Sequence, residues 1–118
     1  MAKTELETRT KEFALNLIDL VSRMPRNRAG DVVAKQLLRS GTSIGANYRE
    51  ANRAESKADF LHKFGISTKE AAETEFWLEL VNESAHLQTA GTPELLKESD
   101  ELIAILTTIG RNTKFPKK

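Results

Sequence analysis

The sequence predicts an all-α fold, an antiparallel up-down-up-down bundle of four helices. Three observations carry that reading. Apolar residues recur at spacings of three and four along most of the chain. The breaks between these stretches are short and hold helix-stopping and helix-starting residues, as in Met24-Pro25 and Gly91-Thr92-Pro93. No segment alternates apolar and polar residues over the length of a strand, and no internal repeat is visible. Four amphipathic helices on short links can hide their apolar faces as such a bundle.

The first helix spans about Thr4 to Met24. Phe13, Leu17, Leu20 and Met24 form its stripe, with Ala14, Ile18 and Val21 beside them. Pro25 stops it, because proline disfavours the α conformation in the residue before it. The second helix starts near Gly30-Asp31, with Asp31 as N-cap, and reaches about Ala54. Its seam reads Val33, Leu37, Ser40, Ile44, Asn47 and Ala51. The middle of that helix is built of small residues, Ser40, Gly41, Ser43 and Gly45, followed by Asn47. Glycine inside a helix costs roughly 1 kcal/mol relative to alanine. A loop is one explanation. A close helix crossing is preferred, because the apolar phase is the same on both sides of the glycines. Asn47 is then a buried amide that needs partners.

The third helix follows Ser56, its cap, and extends to about Leu87. It carries two seams. One is Phe60, Phe64, Ser67, Ala71, Thr74, Leu78, Val81 and Ala85; the other is Ile66, Glu70, Glu73, Trp77, Leu80, Ser84 and Leu87. Two seams imply contacts on two sides, one of them a broader core or a subunit interface. Gly65 is expected to mark a bend. Gly91 suits the end of this helix, Thr92 the N-cap of the fourth, and Pro93 its first position. The fourth helix carries Leu95, Ser99, Leu102, Leu106 and Ile109. Gly110 can end it, and a short basic tail follows.

With 118 residues the chain is read as one domain, 1–118, able to bury a core without disulfides, and it has no Cys. That excludes thiolate chemistry and Cys-based zinc sites and agrees with a reducing compartment. The apolar runs fall far short of the roughly 20 residues that span a bilayer. No basic-then-apolar leader pattern opens the chain. A cytoplasmic protein without membrane contact is expected.

Net charge is +1, unevenly spread. Residues 20–70 carry 10 basic and 5 acidic side chains, whereas residues 71–110 carry 1 basic and 8 acidic. The basic part can face nucleic acid, or it can complement the acidic part of another helix or subunit.

From Leu38 to Val81 the residues themselves look like a family. The carrying motifs are Arg39-Ser40-Gly41-Thr42-Ser43-Ile44-Gly45-Ala46-Asn47-Tyr48-Arg49-Glu50-Ala51, Ser56-Lys57-Ala58-Asp59-Phe60, and Lys69-Glu70-Ala71-Ala72-Glu73-Thr74-Glu75-Phe76-Trp77-Leu78. This resembles the bacterial four-helix bundle proteins named after the intervening sequences of 23S rRNA genes. The resemblance implies an antiparallel bundle and a ring-like homopentamer, without a settled biochemical activity. Related bundles that accompany diversity-generating reverse transcriptases are thought to bind nucleic acid, which is a remoter analogy.

Candidate sites follow. Arg28, Lys35, Arg39, Arg49 and Arg53 fall on one face of the second helix and extend over roughly 37 Å at 1.5 Å per residue. They can bind RNA or DNA phosphates; alternatively they are solvated, or pair with Glu70, Glu73, Glu75 and Glu79 of the third helix. Ile66, Glu73, Trp77 and Leu80 are the candidate oligomer interface, with Trp77 an anchor in core or interface. Ser40, Gly41, Ser43, Gly45 and Asn47 serve helix packing. Asp59/His62 and Glu83/His86 mimic a carboxylate–histidine pair, but they lie on one helix, 24 residues or roughly 36 Å apart, so no metal site is expected. The chain has no phosphate-cradling glycine loop and no nucleophile–base motif. No catalytic residues, cofactor or small-molecule substrate are expected.

Overall fold

The computed structural model describes residues 1–113. Four helices, α1 (Lys3–Arg23), α2 (Arg28–Asn52), α3 (Lys57–Glu83) and α4 (Thr92–Asn112), follow one another through short links. No strand occurs among the described residues. Neighbours in the bundle are α1 with α2, α2 with α3, α3 with α4, and α4 with α1. Helices α1 and α3 are therefore diagonal, as are α2 and α4. The basic tail predicted after Asn112 lies, from residue 114 on, outside the described residues.

Each helix buries most of the stripe that its period predicts; Ile18, beside the α1 stripe, is exposed, and Ala85, the last residue of the first α3 seam, is exposed in the loop because α3 ends at Glu83. Phe13, Leu17 and Leu20 of α1, Leu37 and Ile44 of α2, Leu78 and Val81 of α3, and Leu102 and Leu106 of α4 are all sealed from solvent. Burial of side chains of this size contributes about 1.5–3 kcal/mol each, before the entropy cost of ordering them.

The small-residue block of α2 is helical throughout and works as a close crossing on two sides. Toward α1, a Cβ at Gly41 would overlap Leu17 Cδ1, and one at Gly45 would lie 2.9 Å from Thr10 Oγ1. Toward α3, Thr74 Oγ1 donates to Ser40 Oγ at 2.9 Å, and Ser67 Oγ donates to the Ile44 carbonyl at 2.7 Å. Hydroxyls let these backbones approach without stranding a polar group. No buried side-chain N or O among the described residues lacks a hydrogen-bond partner.

Asn47 departs from the expectation. It is only half-buried, and its amide donates to the Ser43 carbonyl within the same helix at 2.9 Å. Tyr48 is buried in its place, its ring edge-on to Phe64 at 6.2 Å. Burial pushes the Tyr48 phenol above its ordinary range. Ser43 likewise bonds back to its own helix, donating to the Arg39 carbonyl.

The helix ends correct three expectations. Asn27, not Asp31, caps α2: its Oδ1 accepts from Gly30 N at 2.7 Å, and its Nδ2 donates to the His86 carbonyl at 3.2 Å. Asp31 sits in the first turn, where the helix dipole favours it. Helix α3 ends at Glu83, so Leu87 enters the core from the following loop. Gly91 begins α4 instead of ending α3. Its φ of 95° is a left-handed conformation that suits glycine, while Thr92 is already the first residue of α4 and its Oγ1 donates backward to the Thr89 carbonyl. Ser56 caps α3 as expected, accepting from Asp59 N at 3.0 Å. Gly65 does not interrupt α3.

The α1–α4 seam is built differently. A groove of about 700 Å³ opens there, lined in part by Glu12, Asp19, Arg23, Glu94 and Glu98. Arg9 closes one end, its Nε 2.6 Å from Glu98 Oε2 and its Nη2 2.7 Å from Glu101 Oε1. The hydrogen bond to Glu98, helped by Glu101, raises the guanidinium pKa further above its already high value. Arg23 closes the other end by donating to the Ala90 carbonyl.

Candidate functional site

The five cations of α2 start from one helical face, and their neighbours divide them. Arg39 leans toward α3, where it meets Glu70 at 3.2 Å and forms a close ion pair with Glu73. Its Nε also donates to Gln36 Oε1 at 2.9 Å. Arg49 leans toward α1, its Nε 3.9 Å from Glu7 Oε1. The other oxygen of Glu7 accepts from Asn52 at 2.9 Å. Arg28, Lys35 and Arg53 stay on the outer face, exposed and without an ion-pair partner among the described residues. The single stripe is thus divided: Arg28 and Lys35 toward its start and Arg53 at its end are free, while between them Arg39 is held by α3 and Arg49 turns toward Glu7 of α1. Glu50 adds an acidic side chain at its lower end and pairs with Lys63 at 2.9 Å, which raises the lysine pKa.

The second seam of α3 forms the flank next to α2. Glu73 accepts from Trp77 Nε1 at 3.0 Å while holding Arg39, so one carboxylate fixes both the indole and the guanidinium. Ile66 is half-buried beside Lys69, Glu70 and Glu73, around a shallow cleft of about 260 Å³. Trp77 is half-buried against the core. Of the four residues proposed for an interface, Leu80 is the one that stands clear, 37% exposed.

Sequence reasoning missed its neighbour. Phe76 is 50% exposed, one helical turn before Leu80, with its ring edge-on to Trp77 at 5.1 Å. Phe76 belongs to neither seam, so periodicity assigned it no role. A large aromatic residue off both seams was the signal available. Val32 on α2 was missed for the same reason and is 60% exposed. On α1, Leu15 and Ile18 are 52% and 43% exposed.

Among the described residues, no group of three or more His, Asp or Glu side chains is placed to hold a metal ion. Asp59 and His62 lie in the first turns of α3, whereas Glu83 is its last residue and His86 lies in the loop beyond it. No described helix is long and apolar enough to cross a membrane.

The fold and its two outer faces define an antiparallel four-helix bundle with a cationic helix beside a helix bearing exposed aromatic and aliphatic side chains. The sequence model for the 23S rRNA-intervening sequence protein matches residues 3–108. The chain belongs to the 23S rRNA-intervening sequence protein family. It is also similar to a solved structure, a protein of unknown function from the S23 ribosomal protein family of Bacteroides thetaiotaomicron. The two share 38% sequence identity with a TM-score of 0.83, over 94% of this chain and 99% of that one. No curated protein matches the chain.

Proposed function

We propose that the chain is a non-enzymatic helical module that assembles into a homo-oligomer, a pentamer by family resemblance. The observation that carries this reading is the uncovered apolar surface of α3, where Phe76 and Leu80 stand in solvent beside Trp77. Aromatic and aliphatic groups clustered on one face favour burial against another surface. Size-exclusion chromatography coupled to light scattering tests the reading. A single species with about five times the mass of one chain is the expected result at micromolar concentration. A monomer under those conditions rejects it.

A second reading, an RNA- or DNA-binding module, is favoured by Arg28, Lys35 and Arg53, which keep their charges free on the outer face of α2. Binding to structured RNA should then weaken steeply with salt and with Arg28→Ala/Lys35→Ala/Arg53→Ala. Absent or salt-insensitive binding counts against it.

A further inference from the structure

We propose that copies of this chain join head to tail, with the acidic apolar ridge of α3 seated on the basic outer face of α2 of the next copy. This rests on the self-assembly reading above and specifies which surfaces meet.

The two surfaces are built to the same plan with opposite charge. On α3, Phe76, Leu80 and Glu83 follow at spacings of four and three, and Glu79 stands beside them. On α2, Arg28, Val32 and Lys35 follow at the same spacings. Val32 is 60% exposed between two free cations; Phe76 and Leu80 are 50% and 37% exposed beside two free carboxylates. Each surface has an apolar centre with charges at its edge, the arrangement of a specific interface. Two copies of the α3 ridge would set carboxylates against carboxylates, and two copies of the α2 face would set cations against cations. Opposite charges meet only when unlike surfaces pair.

The position of the surfaces suits closure. Ser40 of α2 stands opposite Thr74 of α3. Eight residues before Ser40 is Val32, and eight after Thr74 is Asn82, so the antiparallel register puts both surfaces at one level of the bundle. They belong to neighbouring helices, whose outer faces in a four-helix bundle point about a quarter turn apart. Unlike surfaces at one level, turned by about that angle, generate a closed ring of a few copies instead of a filament. A nucleic-acid backbone is the poorer occupant of the α2 face, since phosphates gain nothing from a bare valine between the two cations.

The test is charge reversal in the full chain, read by light scattering and sedimentation, with helicity checked by circular dichroism. Glu79→Lys/Glu83→Lys alone and Arg28→Glu/Lys35→Glu alone are each expected to raise the apparent dissociation constant by about tenfold or more. All four substitutions in one chain are expected to restore assembly, because the charges again oppose. Unlike surfaces must meet for that rescue; a ridge-to-ridge contact would leave the α3 reversal without effect. A wild-type oligomer that is indifferent to every reversal overturns this docking and leaves self-assembly standing. A wild-type monomer overturns both. An Arg28→Glu/Lys35→Glu chain that loses binding to structured RNA while its assembly is unchanged assigns the face to nucleic acid and overturns the proposal.

Discussion

Helix α1 has two seams, and they are held by opposite means. Against α2 it packs closely: Leu17 and Thr10 press on the bare backbone of Gly41 and Gly45, and Cβ atoms there would crowd them. Against α4 it leaves a groove of about 700 Å³, closed at its ends by Arg9 and Arg23. The first seam depends on shape. The second depends on charge-assisted hydrogen bonds at part-exposed sites. The difference teaches that a regular apolar period fixes which residues face inward without fixing how near two helices come. Side-chain size decides that distance.

The largest expected effect follows from breaking the close seam. In Gly41→Val the new Cβ overlaps Leu17 Cδ1, and the branches meet Thr74, whose Cγ2 lies 3.8 Å from the Cβ position. Both helices must move apart or take strained rotamers, so the variant should lose about 3 kcal/mol. Gly41→Ala should lose less, since its gain in helix propensity of roughly 1 kcal/mol offsets part of the crowding. Chemical denaturation measures both. A midpoint unchanged in Gly41→Val would mean that the seam is no tighter than the groove.

A smaller effect is expected at the open seam. Arg9→Ala leaves Glu98 and Glu101 near each other with their shared cation gone. Because the three side chains are 25%, 29% and 49% exposed, water screens much of the interaction, and the loss should be about 1 kcal/mol. The difference between wild type and variant should shrink as salt is raised. Arg9→Lys should recover only part of the loss, since an ammonium cannot offer the planar fork that spans both carboxylates. A salt-independent loss would assign the role of Arg9 to packing of its methylenes.

Much of this contrast was legible in the sequence. The period placed Phe13, Leu17, Leu37, Leu78 and Leu102 in the core, and the run Ser40 to Gly45 announced a close approach. Leu87 shows where period misleads: it continues a seam of α3 in phase, yet α3 has already ended and the residue reaches the core from a loop. Asp31 was a sound cap by type, but Asn27 reaches the free N–H first and is also held by the His86 carbonyl. The basic stripe was legible as a face. The division within it was not, because it depends on Glu70 and Glu73 lying to one side and Glu7 to the other, which only the helix arrangement decides. Phe76 and Val32 escaped because periodicity finds residues that point inward, and these two point outward.

Gly65 sharpens the comparison with the smallest change and the opposite sign. It lies inside α3 as Gly41 lies inside α2, but nothing comes within 4 Å of its Cβ position. A methyl group there meets no neighbour in the chain, so Gly65→Ala should gain helix propensity without crowding, raising stability by roughly 0.5–1 kcal/mol. Thermal or chemical unfolding at low protein concentration isolates this gain within one bundle. Repeating the measurement at high concentration asks whether the space stays open once copies associate. The docking surfaces inferred above, around Val32 and Leu80, are far along the bundle from residue 65, so the same gain is expected at both concentrations. A gain that disappears as copies assemble would show that another subunit covers this part of α3, and would move the interface away from the Phe76–Glu83 ridge.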